Sequence, residues 1–297
     1  MLQKLSNFIN DHLIAIVIII TFVVLLSVVL IPTIYVFFLS FFSVHISGKM
    51  TFLGFGNYIR ALSDPAFWQF LYQTLIYTFG SLTISFLIGF ISALALNKIA
   101  VGKGLFRSLT LLPWVIPPAI SGLIWRWMLN DSVGLFNDIL NNKLHIIREN
   151  ILFLGTYFWA KFTVILADSW TRIPFITILL LAGLQSISQE YYDAARVDGA
   201  SAFQQLFRIT VPLMRSTILV VLMIITMFVM RTYEIIYILT DGGPGNSTEV
   251  LTTYIYKNTV NYWELGYGSA LSVVLLFIVI IITLYYTRQL VRRSMES

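Results

Sequence analysis

The chain has 297 residues, 58% of them hydrophobic and only 11% charged, with a mean hydropathy of +0.84. A soluble domain of this length carries about 25% charged residues, so this composition excludes a water-covered globule and points to a bilayer. The net charge of +5 comes from basic residues spread singly between apolar runs, which excludes a nucleic-acid patch, and the absence of cysteine excludes disulfides, thiolate metal sites and thiol catalysis.

In chain order, residues 1–12 lead into an apolar run over about 13–41, too long for the apolar core of a secretory signal and without a small-x-small cleavage site after it. It reads as a retained first span. About 20 apolar residues cross the hydrocarbon as a helix. Six segments meet that length: about 13–41, 69–96, 108–129, 157–185, 212–239 and 266–288. Their runs are continuous rather than alternating, so helices are expected instead of barrel strands. The fold class is therefore all-α integral membrane, as a single domain over 1–297.

Loop charge sets an orientation. With the N-terminus inside, the inner segments hold ten basic residues: Lys4, Lys98, Lys103, Arg107, Arg196, Arg208, Arg215, Arg288, Arg292 and Arg293. The outer loops hold five: Lys49, Arg60, Lys143, Arg148 and Lys257. Both termini are expected to be cytoplasmic. Trp68, Trp125, Trp127, Trp159 and Trp263 fall at span edges, as an interfacial aromatic belt would place them.

The middle spans are less uniform. Pro113, Pro117 and Pro118 are expected to break the third and Pro174 the fourth. Asp168 and Arg172 are spaced i,i+4 around Trp170, and Arg231 and Glu234 i,i+3 beside Tyr233. Ionisable groups at membrane depth either neutralise one another within the bundle or line a polar, water-accessible lumen. The spacing leaves both open. His12, His45 and His145 all fall outside the spans, which disfavours a membrane-embedded metal or histidine enzyme.

The longest inner loop, 186–211, joins spans four and five. Ser186 to Gln189 and Ser201 to Gln204 both fit the S-x-x-Q capping box, so two short helices are expected, separated at Gly199. The first, 189–197, offers the small residues Ala194 and Ala195; the second offers Phe203, Leu206 and Phe207 on one side. Pro212 is expected to open the fifth span. Such a helix pair suits either the groove of a partner protein or the lipid interface.

Asp193-Ala194-Ala195, then Asp198-Gly199-Ala200, then Val211-Pro212 resembles the EAA loop of permease subunits of ABC importers, with Asp193 where glutamate is usual. Phe55-Gly56-Asn57-Tyr58, Leu112-Pro113-Trp114 with Pro117-Pro118, and Leu239-Thr240-Asp241-Gly242-Gly243-Pro244 are similar to the maltose-type carbohydrate branch of that family. The resemblance runs over nearly the whole chain. It implies a type I importer transmembrane domain in the plasma (inner) membrane of a prokaryote, forming half of a pathway for di- or oligosaccharides. An acidic saccharide, glycerol phosphate or a polyamine is the alternative cargo.

The same resemblance implies the partners: a second homologous permease, a dimer of ATPase subunits, an extracytoplasmic sugar-binding protein and membrane lipids, with no nucleic acid. It implies that Glu190, Asp193, Ala194, Ala195, Asp198, Gly199, Ala200, Phe203 and Pro212 couple to the ATPase. Substrate-lining positions carry over to Trp114, Pro118, Asp168, Thr171, Arg172, Phe175, Phe228, Val229 and Thr232. Arg172 in that set would favour an acidic cargo unless Asp168 neutralises it. The outer loop after Leu239 is the candidate contact for the binding protein. No G-x-x-x-x-G-K-[ST] motif is present, so this chain is not expected to be an enzyme, and ATP and magnesium belong on the partner ATPase. A passive channel would have no use for the capped inner helix pair.

Overall fold

The computed structural model describes residues 2–44, 48–99 and 102–294; His45 lies outside the described residues. The chain is mostly helical and divides into two compact units, Met1–Asp64 with Ile255–Leu275, and Pro65–Tyr254 with Leu276–Ser297.

In the first unit, α1 (Leu2–Leu25) continues through a π-helical turn at Leu26–Leu30 into α2 (Ile31–Leu39). Its membrane-length stretch, Ala15–Leu39, has no buried residue in its most apolar window, which suits a helix solvated by lipid. A two-stranded antiparallel hairpin follows, β1 (Phe42–Val44) with β2 (Met50–Phe52), in the register Phe42↔Phe52. Helix α3 (Gly56–Ser63) then carries Asn57, whose side-chain amide donates to the carbonyls of Ser40 and Phe42 at 2.9 Å each, while the Tyr58 hydroxyl meets Ser40 Oγ at 2.6 Å. The Phe55–Tyr58 motif thus staples the end of α2 to the hairpin. Arg60 stacks over the Tyr267 ring at 3.9 Å and pairs with Glu264 at 2.7 Å. The Tyr267 hydroxyl donates to Asp64 at 3.0 Å.

The second unit is built around α8 (Tyr157–Gln185). Against it pack α4 (Pro65–Lys98), α5 (Lys103–Val115), α6 (Pro118–Met128), α12 (Arg215–Met230) and α13 (Glu234–Thr240). The remaining elements are α7 (Leu135–Asn137), α9 (Gln189–Val197), α10 (Ala202–Gln205), α11 (Val211–Leu213), α14 (Leu251–Tyr256) and α15 (Leu265–Ser294); the last two straddle the division into units. Helix α4 meets α8 along Ser81, Ser85, Gly89 and Ala93, one small buried residue per turn. A Cβ built on Gly89 would lie 2.6 Å from Ile176 Cγ2, and one on Gly80 2.9 Å from Ile165 Cδ1. In lipid no apolar driving force separates helix contacts from lipid contacts, so such close backbone approach is how spans gain dispersion energy. Ile176, Leu180, Val221, Ile225, Ile235 and Ile236 fill the core that results.

Among the described residues, four helices are long and apolar enough to cross a membrane: Ala15–Leu39, Pro65–Lys98, Tyr157–Gln185 and Leu265–Arg292. Two bent pairs raise the count to six if each is one span: Gly104–Val115 with Pro118–Met128, at 91°, and Ala202–Leu213 with Arg215–Met230, at 69°. The first bend falls where the sequence puts two prolines together. Pro117 forces Ile116 out of the helical region (φ −72°, ψ 126°), and Pro118 restarts the helix at N1.

Three local expectations are corrected. Helix α8 runs unbroken through Pro174, because a proline in a membrane helix is tolerated where neighbouring helices pack around it, and Pro174 is buried in the bundle. Pro113 likewise sits inside α5. Pro212 lies in α11, before the 69° bend, and the helix beyond the bend opens at Arg215 instead. That helix ends at Met230, and α13 begins only after Arg231–Tyr233.

Candidate functional site

Two sets of residues come together in the second unit. The first lines a recess of about 120 Å³ between α5, α6, α8 and α12, room for several water molecules. Its walls are Trp114, Ile116, Pro118, Asp168, Thr171, Arg172, Phe175, Ile225 and Phe228. The bend at Ile116–Pro117 places Trp114 and Pro118 on the same recess although they belong to different helices. Trp114 stacks on Phe175 with ring centroids 5.5 Å apart and an 18° interplanar angle, and Phe175 meets Phe228 at 6.0 Å. Three aromatic rings therefore form a continuous wall.

The polar side is held by one ion pair. Arg172 donates from Nε to Asp168 Oδ2 and from Nη2 to Asp168 Oδ1, each at 2.8 Å. Ser81 of α4 donates to Asp168 Oδ2 at 2.5 Å, and Arg172 Nη2 also donates to Thr232 Oγ1. The Asp168 side chain is 2% exposed and that of Arg172 15%. Thr232 sits in the break between α12 and α13, and its carbonyl accepts from Thr252 Oγ1 at 2.7 Å. A hydrogen-bonded chain thus runs from α4 through α8 to the α12–α13 break and on to α14.

Seven of the nine expected lining residues reach the recess. Thr232 stands behind it as the partner of Arg172, and Val229, 1% exposed, packs into the apolar core. Ile116 and Ile225 line it without having been anticipated; Ile225 precedes Phe228 by three residues on α12, a spacing that could have flagged it. Arg231 and Glu234 form no ion pair, because the helix stops between them. Arg231 is exposed, and Glu234 opens α13.

The second set is the loop after α8. Helix α9 covers Gln189–Val197, with Ser188 as N-cap, its hydroxyl accepting from the Glu190 amide at 3.3 Å. The expected cap Ser186 instead closes the preceding helix, donating to the Gly183 carbonyl at 2.8 Å. Asp198 is the C-cap and Gly199 takes φ +74°. The Ala200 amide reaches back to Ala195 O at 2.8 Å and the Gly199 amide to Arg196 O at 3.1 Å, the paired bonds of a Schellman turn.

Ser201 then opens α10 with both bonds of a capping box to Gln204. Tyr192 OH of α9 meets Thr210 Oγ1, in the turn after α10, at 3.0 Å, and Gln205 of α10 donates to Ala200 O in the linker at 2.9 Å, tying α9 to the stretch that follows it. Asp193 pairs with Arg196 at 3.0 Å on the open face. Ala195 is buried but Ala194 exposed, so these two do not share a face. Phe203 and Phe207 are 71% and 53% exposed, with rings 4.6 Å apart, and Val197, the last residue of α9, is 88% exposed.

The loop following α13 is anchored, not slack. Thr240 and Thr248 hydroxyls meet at 2.6 Å, Gln73 donates to Asn246 O at 3.0 Å, and Thr74 Oγ1 accepts from the Leu251 amide at 2.8 Å. Ser247–Val250 are buried; Asp241, Gly245 and Asn246 remain exposed at its tip.

Residues 85–297 match the family described as the binding-protein-dependent transport system inner membrane component. The chain is 40% identical over 237 residues to the trehalose/maltose transport system permease protein MalF of Thermococcus litoralis, covering 80% of this chain and 79% of that one. It is 34% identical over 282 residues to the sulfoquinovosyl glycerol transport system permease protein SmoG of Agrobacterium fabrum, covering 94% and 91%. In fold it is similar to a chain of a bacterial ABC transporter involved in the import of the acidic polysaccharide alginate, with TM-score 0.82, 23% identity and coverage of 98% and 99%.

Proposed function

The chain belongs to the binding-protein-dependent transport system inner membrane components, and from that premise we propose that it imports di- or oligosaccharides as half of an ATP-driven pathway. The observation that carries the sugar is the recess. A stacked wall of Trp114, Phe175 and Phe228 suits the C–H faces of sugar rings, and polar groups confined to one side suit their hydroxyls. A second, related permease would close the open side, and an extracytoplasmic binding protein would deliver cargo near Asp241–Asn246.

In this reading the 186–211 loop is cytoplasmic, as are both termini. It docks on an ATPase subunit that holds ATP and magnesium. The Gly199 Schellman turn and the Ser201 capping box make the loop one rigid piece. The exposed Phe203 and Phe207 give it an apolar anchor of the kind that fills a partner's groove. Glu190, Asp193 and Asp198 stay exposed beside them. ATPase closure would then move the loop as a rigid body and pass the displacement to α12 through the bend at Met214.

The test is uptake into proteoliposomes holding the complete importer with its binding protein. ATP-dependent accumulation of labelled maltose or trehalose is expected, and Trp114→Ala is expected to cut it at least tenfold. Uptake of glycerol phosphate or a polyamine with no sugar uptake would overturn the reading.

A further inference from the structure

The relatives' names leave the charge of the cargo open, since trehalose/maltose stands in one and the acidic polysaccharide alginate in another. The recess is more specific. We propose that Asp168 is a specificity-determining residue that cancels Arg172 and tunes the site to uncharged saccharides, an inference resting on the sugar-import reading above.

Arg172 is the sole charged side chain besides Asp168 among the recess walls. Two of its N–H groups are spent on the two carboxylate oxygens, and Nη2 serves Thr232 as well. The carboxylate is saturated in turn, accepting from Ser81 in addition to Arg172. Each partner is held from a different element: Ser81 on α4, the pair on α8, and Thr232 in the α12–α13 break. The guanidinium cannot swing toward a ligand without giving up three bonds and exposing a buried carboxylate.

What faces the recess is therefore a neutral pair beside Trp114, Ile116, Pro118, Phe175, Ile225 and Phe228. Thr171, the other polar residue, already donates to the Asp168 carbonyl at 2.7 Å. A uronate or sulfonate entering this half-site would bring a net charge against a lining whose one cation among the described residues, Arg172, is already neutralised by Asp168. A neutral sugar brings no net charge to desolvate, and the Thr171 oxygen can still accept from one of its hydroxyls.

Equilibrium dialysis of the detergent-solubilised importer complex, without the binding protein, against labelled maltotriose and labelled trigalacturonate tests this. The wild-type complex is expected to bind maltotriose at least tenfold more tightly. Asp168→Asn, which keeps the Ser81 bond but leaves Arg172 charged, is expected to narrow that ratio at least tenfold. The charge-free double variant Asp168→Asn/Arg172→Gln is expected to restore the wild-type order, and it carries the test if the single variant fails to assemble. Equal or tighter binding of trigalacturonate by the wild type, an unchanged ratio in Asp168→Asn, or loss of the maltotriose preference in the double variant would overturn the proposal. A wild-type complex that binds neither saccharide would instead sink the sugar reading itself.

Discussion

Arg172 grips both carboxylate oxygens of Asp168 from one turn further along the same helix, with two bonds of 2.8 Å. The pair is almost wholly withdrawn from solvent, so its two members have value only together. Breaking a buried pair by deleting one partner strands a charge and costs about 3–5 kcal/mol, whereas replacing both is close to neutral. Arg172→Ala is therefore expected to lower the melting temperature of the solubilised complex by several degrees, and Asp168→Asn/Arg172→Gln by much less. Equal melting of the two variants would mean that the pair does not act as a unit. This asymmetry also makes Arg172→Ala a poor probe of cargo charge, since a loss of transport would follow from instability alone.

Gly199 owes its place to backbone conformation and not to crowding. At φ +74° it lies in the left-handed region, and an added Cβ would meet nothing within 4 Å. A bulky side chain has room there; what it lacks is a relaxed backbone. Asparagine tolerates this conformation and β-branched residues do not. Gly199→Asn is expected to keep near wild-type uptake, while Gly199→Val inserts normally but loosens the Schellman turn, costing about 1–2 kcal/mol locally. The measurement is sugar uptake against ATP hydrolysis in proteoliposomes. Hydrolysis without matching uptake is expected for Gly199→Val alone, and an equally uncoupled asparagine variant would argue for a side-chain clash after all.

Gly89 is the opposite case. Its Cβ would come within 2.6 Å of Ile176 Cγ2, on the seam where α4 and α8 pack most closely. Gly89→Ala is expected to destabilise the second unit by about 1–3 kcal/mol through overpacking. Ile176→Ala should relieve part of that loss, giving a double-mutant coupling of opposite sign to the single effects. Thermal melting of the four complexes measures it, and strict additivity would show that the seam simply spreads.

These examples mark what could be read from the sequence. The Asp168–Arg172 pair was legible because i,i+4 spacing on one continuous helix settles proximity. Arg231 and Glu234 looked equivalent at i,i+3, but the helix stops between them and the periodic argument lapses. The Thr232 contact spans 60 residues of sequence, and nothing local announces it. Pro117 broke its helix while Pro174 did not, because Pro117 is followed by a second proline that begins a new helix, whereas Pro174 is buried among neighbouring spans. The capping box offered at Ser201 forms. Ser186 fits the same S-x-x-Q pattern yet is consumed by the helix before it, and Ser188, two residues on, caps α9 instead.

Phe203 and Phe207 give the most direct test of the 186–211 loop. Both are largely exposed, and they touch each other but take no part in the core cluster. Truncating exposed residues away from caps and cores changes stability by no more than about 0.5 kcal/mol. A docking anchor behaves differently, because truncating a hot-spot aromatic at a protein–protein interface costs about 2 kcal/mol or more of binding. The double variant Phe203→Ala/Phe207→Ala is therefore expected to insert and melt like the wild type. Its affinity for the purified ATPase subunit should nonetheless fall at least a hundredfold when titrated in detergent. Were these rings only resting on lipid, the same change would leave ATPase binding intact and weaken only the association of an isolated 186–213 peptide with vesicles.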